Sequence, residues 1–337
     1  MAGRKSQCLS RSWEASVGRV VTEITVRAPA HVPQRGRGTT LILLASVSFG
    51  TSGTIAKPAM LAGLSPEQVA AARIGLAALV LVLGVAVFRP RLLRVRRAEW
   101  PVLVGYGLLG VAGVQLCYFV SVERLPVGIA ILLEFASPVL IALWTRFVRR
   151  IRLPRRMWLG IALAMGGLML VAQVWEGLRL DLIGLLVGLC TAVCSAGYFL
   201  LGEHGVTTRD PLGMVTWGMI IGAVVVCAIA PPWTLPRAVV TAPAEFGPWH
   251  PPVWALLVGV ALLSTALAYG LGTAALRHLP ASVASVVGLL EPVVATATAW
   301  ALLGEALAWV QVAGALVLLS GATIVQLSHD DGVASVP

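Results

Sequence analysis

The chain has 337 residues, 58% of them hydrophobic and only 12% charged, with a mean hydropathy of +0.88. A soluble domain carries about 25% charged residues, so this composition excludes one and points to an integral membrane protein. The formal net charge of +10 does not mark a nucleic-acid binder, because the arginines sit in short connections between apolar runs; no nucleic-acid partner is expected.

Apolar runs occur at 39–60, 67–88, 101–122, 126–147, 157–175, 182–202, 211–231, 252–276, 281–303 and 307–327. Each has about the 20 residues that a helix needs to cross a bilayer. A transmembrane strand needs only about ten, with apolar and polar residues alternating, so the class is all-α with ten transmembrane helices. Trp100, Trp158, Trp175, Trp233, Trp254 and Trp309 fall near span ends, as interfacial anchors do.

Lysine and arginine set the orientation. Twenty of them lie before the first span and in alternate connections, notably 89–97 and 146–156, while the opposite connections hold only Arg124, Arg179 and Arg237. Positive charge marks the cytoplasmic side, so both termini are expected there. Residues 1–38 lack the apolar stretch of a signal peptide and read as a flexible basic cytoplasmic arm or as an over-long start. Residues 328–337 read as a short cytoplasmic tail.

In chain order, the first span contains GTSGTIAKP, residues 50–58. A phosphate-binding loop needs glycine where Ala56 stands and serine or threonine where Pro58 stands, so no ATPase motif is present. Gly50 to Thr54 would let backbone polar groups of an irregular helix face a water-filled cavity. Lys57, near the outer end, either snorkels to water or attracts a substrate carboxylate. Arg73 stands about six residues into the second span and Glu134 about eight into the fourth, depths that differ by roughly 3 Å and make an ion pair feasible. The pair either holds span 2 against span 4, or Glu134 faces a cavity and meets a substrate ammonium or a proton. Gln115, Tyr118, Tyr198 and Tyr269 lie mid-span, where each either lines a cavity or bonds a neighbouring helix.

Glu134 belongs to ILLEFASPVL (131–140), and Glu291 to VVGLLEPVVA (286–295). A carboxylate in hydrocarbon is a functional candidate by default, and Pro138 and Pro292 are expected to bend their helices because proline cannot donate the i to i−4 hydrogen bond. Glu305 lies near an interface. The cysteines are scattered and read as packing residues; Cys190 and Cys194 share a helix face, but two ligands are too few for zinc. No metal and no cofactor are expected. The five histidines are widely separated, and the chain carries no zincin motif, nucleophile elbow or cofactor fingerprint. A membrane-embedded enzyme or a scaffold is a remote alternative.

Shifted by 154 residues, the chain matches itself: Trp100 falls on Trp254, Leu125-Pro126 on Leu279-Pro280, Pro138-Val139 on Pro292-Val293, Gly160 on Gly314 and Gly167 on Gly321. Gln115 falls on Tyr269. The expected domains are therefore two five-helix repeats, 39–175 and 182–327. An odd span count turns the second copy upside down, and the charges agree: arginine-rich 146–156 matches 300–310, which has no lysine or arginine. Inverted repeats are the usual construction of secondary transporters, with the site at their interface near the midplane. Glu291 aligns with Ser137 and not with Glu134, so only Glu134 is expected to have a nearby cationic partner.

These features converge on SFGTSGTIAKPAM, AAARIGLAALVLVL, LPVGIAILLEFASPVL and LLEPVVATATAWALLGEAL, which together resemble the EamA branch of the drug/metabolite transporter superfamily over about residues 40–327. GTSGTIAK with Leu133, Glu134, Phe135 and Pro138 is most similar to the bacterial threonine/homoserine exporters. The resemblance implies a cavity lined by spans 1–4 and 6–9, with spans 5 and 10 peripheral, and proton-driven export of small amino acids or related metabolites. The first repeat departs from the family pattern with Arg150-Ile151, where the second has Gly304-Glu305. The expected partners are a small zwitterionic metabolite, protons and the lipid bilayer, with a homodimer left open, in a bacterial inner membrane. The alternative substrates are aromatic amino acids or drug-like amphiphiles, which call for more cavity aromatics than a chain with 7% aromatic residues, mostly interfacial tryptophan, is expected to supply.

Overall fold

The computed structural model describes residues 34–175, 181–304 and 306–333. The apolar runs fold as ten helices: α1 Arg35–Leu61, α2 Pro66–Phe88, α3 Arg97–Arg124, α4 Val127–Phe147, α5 Arg155–Val171, α6 Leu182–Gly205, α7 Pro211–Ile229, α8 Val253–Ala275, α9 Ala281–Leu303 and α10 Trp309–Val333. Among the described residues, nine are long and apolar enough to cross a membrane; α5, with 17 residues, rises about 25 Å. Of the expected arm 1–38 and tail 328–337, residues 1–33 and 334–337 lie outside the described residues, as does Glu305, whereas 35–38 and 328–333 belong to α1 and α10.

Local chemistry sets the helix starts. Ser65 and Gln68 form a capping box ahead of α2, with Pro66 at its first position. Asp181 and Asp210 accept the Ile183 and Leu212 amides at 2.8 and 2.9 Å to cap α6 and α7. Such caps satisfy amides that the helix leaves unpaired. The Ile183 amide, and then Arg124 at 3.2 Å, hold the Asp181 carboxyl below the usual carboxylate range. Pro126, Pro154, Pro252 and Pro280 immediately precede α4, α5, α8 and α9, where a missing amide hydrogen costs nothing.

Two helices are broken where the sequence places proline. In α4 the helical run stops at Glu134 and resumes at Ser137, and in α9 it stops at Gly288 and resumes at Leu290. Pro138 and Pro292 lie in the first turn of the resumed halves, so neither has to donate back across the break. A second symmetric feature is not legible in the sequence: α3 widens into π-type turns over Tyr106–Gly113, and α8 over Leu262–Leu267. These segments overlap under the 154-residue shift, and such turns frequently occur at functional sites.

The repeats interlock through small residues. A methyl added at Gly314 would stand 2.8 Å from the Gly167 carbonyl oxygen, and one at Gly160 would stand 2.8 Å from that of Gly321. The glycines equivalent by sequence thus bring α5 and α10 into direct backbone contact. Gly50 does the same for α1 and α9, with Val294 Cβ at 2.7 Å. Close backbone approach is the means by which membrane helices gain packing energy without a hydrophobic drive. Leu79, Leu83, Leu186, Val224 and Leu316 are exposed on the outside of the bundle, as lipid-facing side chains are.

Candidate functional site

Two adjoining cavities of about 330 and 100 Å³ lie between the repeats, with Phe49, Gln115, Glu134, Phe135 and Glu291 lining both. The larger extends to Met60 and Pro66, at the end of the bundle poor in arginine. The smaller continues inward to Ser46, Ser195, Tyr198 and Tyr269. Lining residues come from α1–α4, α6, α8 and α9. Span 7, implied as a wall by the family resemblance, contributes none to either cavity; instead α7 packs behind α3, where a methyl at Gly218 would meet the Tyr106 ring at 2.5 Å.

Three ionisable side chains face the larger cavity together: Arg73, Glu134 and Glu291. Each is half-buried. Arg73 stands seven residues into α2 and Glu134 seven into α4, about 10 Å from the helix starts, while Glu291 adjoins the α9 break. Arg73 Nη1 donates to Ser52 Oγ at 2.7 Å. Among the described residues, no ion pair closes Arg73 onto Glu134, because Ser52 holds the guanidinium against α1. The expectation that Glu134 alone would have a cation nearby is corrected: inversion brings Glu291 onto the same cavity as Arg73. Two carboxylates and one guanidinium leave a formal excess of one negative charge, which a proton or a substrate ammonium can balance.

Gln115 and Tyr269 line the smaller cavity, Tyr198 lines it beside them, and Tyr118 lines the larger one. Lys57 lines neither and is exposed. One helical residue rotates a side chain by about 100°, so Ala56 faces the cavity while Lys57 points away. For the GTSGT segment only the expected irregularity is corrected: α1 runs unbroken through it, while Gly50, Ser52 and Gly53 line the larger cavity. Thr51 and Thr54 pair with Ser264 and Thr298 at 2.9 Å each.

Aromatic lining is the largest surprise. Phe49, Tyr118, Phe119, Phe135, Tyr198, Phe199 and Tyr269 all reach the cavities, so the expectation of few cavity aromatics does not hold. The tyrosines and Phe135 carry signals in the sequence; Phe49, Phe119 and Phe199 carry none, since phenylalanine in an apolar helix reads equally as lipid-facing.

Beyond the smaller cavity the path is filled. The Tyr106 hydroxyl pairs with Thr273 at 2.7 Å, and Tyr269 donates to the Gly110 carbonyl in the widened part of α3 at 3.0 Å. The Tyr198 ring packs 5.4 Å from Tyr106 and 5.5 Å from Tyr269. At the arginine-rich end, Arg149 pairs with Glu203 at 2.6 Å and Arg209 with Glu99, each tie joining one repeat to the other. The structure is thus sealed at that end.

A third thiol changes the reading of Cys190 and Cys194. Cys117 on α3 joins them, with the sulfurs within 4.8 Å of one another. The objection that only two ligands are present therefore falls, since a contact between helices is invisible to spacing along one.

The sequence profile of the EamA-like transporter family matches residues 36–173 and 182–327. The chain belongs to the EamA-like transporter family. It is a multi-pass membrane transporter and not an enzyme. The threonine/homoserine exporter RhtA of Escherichia coli strain K12 is 30% identical over 288 residues, covering 84% of this chain and 90% of its own. RhtA of Salmonella typhimurium strain LT2 is 29% identical over 273 residues, covering 81% of this chain and 85% of its own. The uncharacterized transporter YwfM of Bacillus subtilis strain 168 is 26% identical, covering 84% and 92%. A solved crystal structure shares the fold of this EamA-like chain with a TM-score of 0.72 at 17% identity, covering 87% of this chain and 98% of its own.

Proposed function

We propose that the protein exports small amino acids of the threonine and homoserine type across a bacterial inner membrane, by alternating access driven by proton exchange. The observation that carries this reading is the meeting of Arg73, Glu134 and Glu291 on one cavity between the repeats. A zwitterion presents one carboxylate and one ammonium. Arg73 offers the matched fork for the carboxylate, and the glutamates face the ammonium. With substrate absent, a proton on the glutamate pair restores charge balance, so proton and ammonium compete for one place. The RhtA relatives at 29–30% identity support the substrate class.

The arginine-rich end is cytoplasmic by charge, which makes this conformation open outward and sealed inward. Rocking of the repeats would break the Arg149–Glu203 and Arg209–Glu99 ties and part the tyrosines. The α4 and α9 breaks and the widened turns of α3 and α8 supply equivalent bending points in both halves.

The aromatic lining favours a second reading, export of aromatic amino acids or amphiphiles. One experiment separates the two: growth of a host expressing the protein across toxic amino acids and analogues, repeated with Glu134→Gln. Protection against threonine or homoserine toxicity that the variant loses supports the first reading. Protection confined to aromatic analogues supports the second, and equal protection by the variant removes Glu134 from the mechanism.

A further inference from the structure

We propose that Cys117, Cys190 and Cys194 form a binding site for a neutral trivalent metalloid hydroxide, with arsenous acid as the simplest probe. The site is separate from the transport cavities, neither of which these residues line.

Geometry comes first. Cys190 and Cys194 are one turn apart on α6, and Cys117 meets them from α3 with its sulfur 3.7 Å from that of Cys190. A trivalent arsenic centre keeps a lone pair and is pyramidal, so bonds to sulfur of about 2.3 Å place its sulfurs roughly 3.4 Å apart. All three pairs lie within 4.8 Å, so rotation of the thiol side chains has to draw the sulfurs together to close the site. Packing accounts for Cys194, which is buried against Gly113, but not for Cys190, which is exposed on the lipid-facing side.

The surroundings select the ligand. Cys117 is seven residues from the end of α3 and Cys190 eight from the start of α6, each about 10–12 Å into the bundle and within the hydrocarbon. A soft monovalent or divalent cation on three thiolates would leave a net negative charge where charge is costly. A trivalent centre leaves none. Arsenous acid approaches neutral through the lipid; three sulfur–arsenic bonds form, three arsenic–hydroxyl bonds break, and each thiol proton leaves with a hydroxide as water. Arsenic stays trivalent, and neutral reactants give neutral products. Because α3 belongs to the first repeat and α6 to the second, the bound centre staples the two halves together.

The test is arsenic X-ray absorption on the purified, reduced, full-length protein equilibrated with arsenite. The expected result is one arsenic per chain with three sulfur neighbours and no oxygen. Cys190→Ala removes a lipid-exposed side chain and should lose the third sulfur and regain oxygen, while Cys227→Ala, on α7, should match the wild type. Cys117→Ser provides a second variant from the other helix. An oxygen neighbour in the wild type, an unchanged sulfur count in Cys190→Ala and Cys117→Ser, or loss of sulfur in Cys227→Ala would each overturn the proposal.

Discussion

Arg73 is the cavity's one lining cation among the described residues, and it is the group proposed to hold the substrate carboxylate. Losing a hydrogen bond to a charged group costs roughly 1.5–3 kcal/mol, so Arg73→Gln should raise the KM for a zwitterionic substrate about 10- to 100-fold. Lys57→Ala, outside the cavity, should leave flux within about twofold; paired uptake assays in vesicles of matched protein content check both. Arg150 offers a different residue-scale prediction. It holds φ at 57°, and its repeat counterpart Gly304 holds φ at 71°, so the backbone keeps a left-handed turn although the first repeat has lost its glycine. Only glycine adopts that region without a steric penalty, and Arg150→Gly should stabilise the protein by about 1 kcal/mol, measurable by thermal unfolding in detergent.

Among the elements, α4 and α9 carry the breaks that put Glu134 and Glu291 on the cavity. Pro138→Ala and Pro292→Ala let each helix close across its break, and the double variant should lose most transport while inserting normally, which surface labelling and flux measurements together would establish. The helices themselves were legible because apolar length and proline or acidic caps are local signals. Their rotation about the long axis was not. A 100° step decides whether Lys57 or Ala56 faces the cavity, and no neighbouring residue in the sequence fixes that step. The same limit hid Cys117 from Cys190, since only α3 packing on α6 brings them together. The π-type turns were hidden because Tyr106–Gly113 reads as ordinary apolar helix.

For the whole molecule, the duplication was legible in the glycines and prolines that recur at the 154-residue shift, and these residues make the α5–α10 contact and the two helix breaks. What inversion does to unmatched residues was not legible: Glu291 aligns with Ser137, yet it joins Glu134 on one cavity. The ties Arg149–Glu203 and Arg209–Glu99 link the repeats at the sealed end. Glu203→Gln should weaken that closure and increase labelling of a cysteine introduced at Ser46 by a reagent added from the arginine-rich side; unchanged labelling would remove the tie from the gate.

Arg73, Glu134 and Glu291 are proposed to form one shared site for a small zwitterion and a proton. Proteoliposomes holding a pH-sensitive dye and an imposed pH gradient test it most directly. Threonine or homoserine should collapse the gradient through the wild-type protein; Glu291→Gln should abolish that response, and Arg73→Gln should shift it to about 10- to 100-fold higher substrate concentration. Substrate-driven collapse that persists at wild-type rate in both variants, or substrate flux with no proton movement, would contradict it.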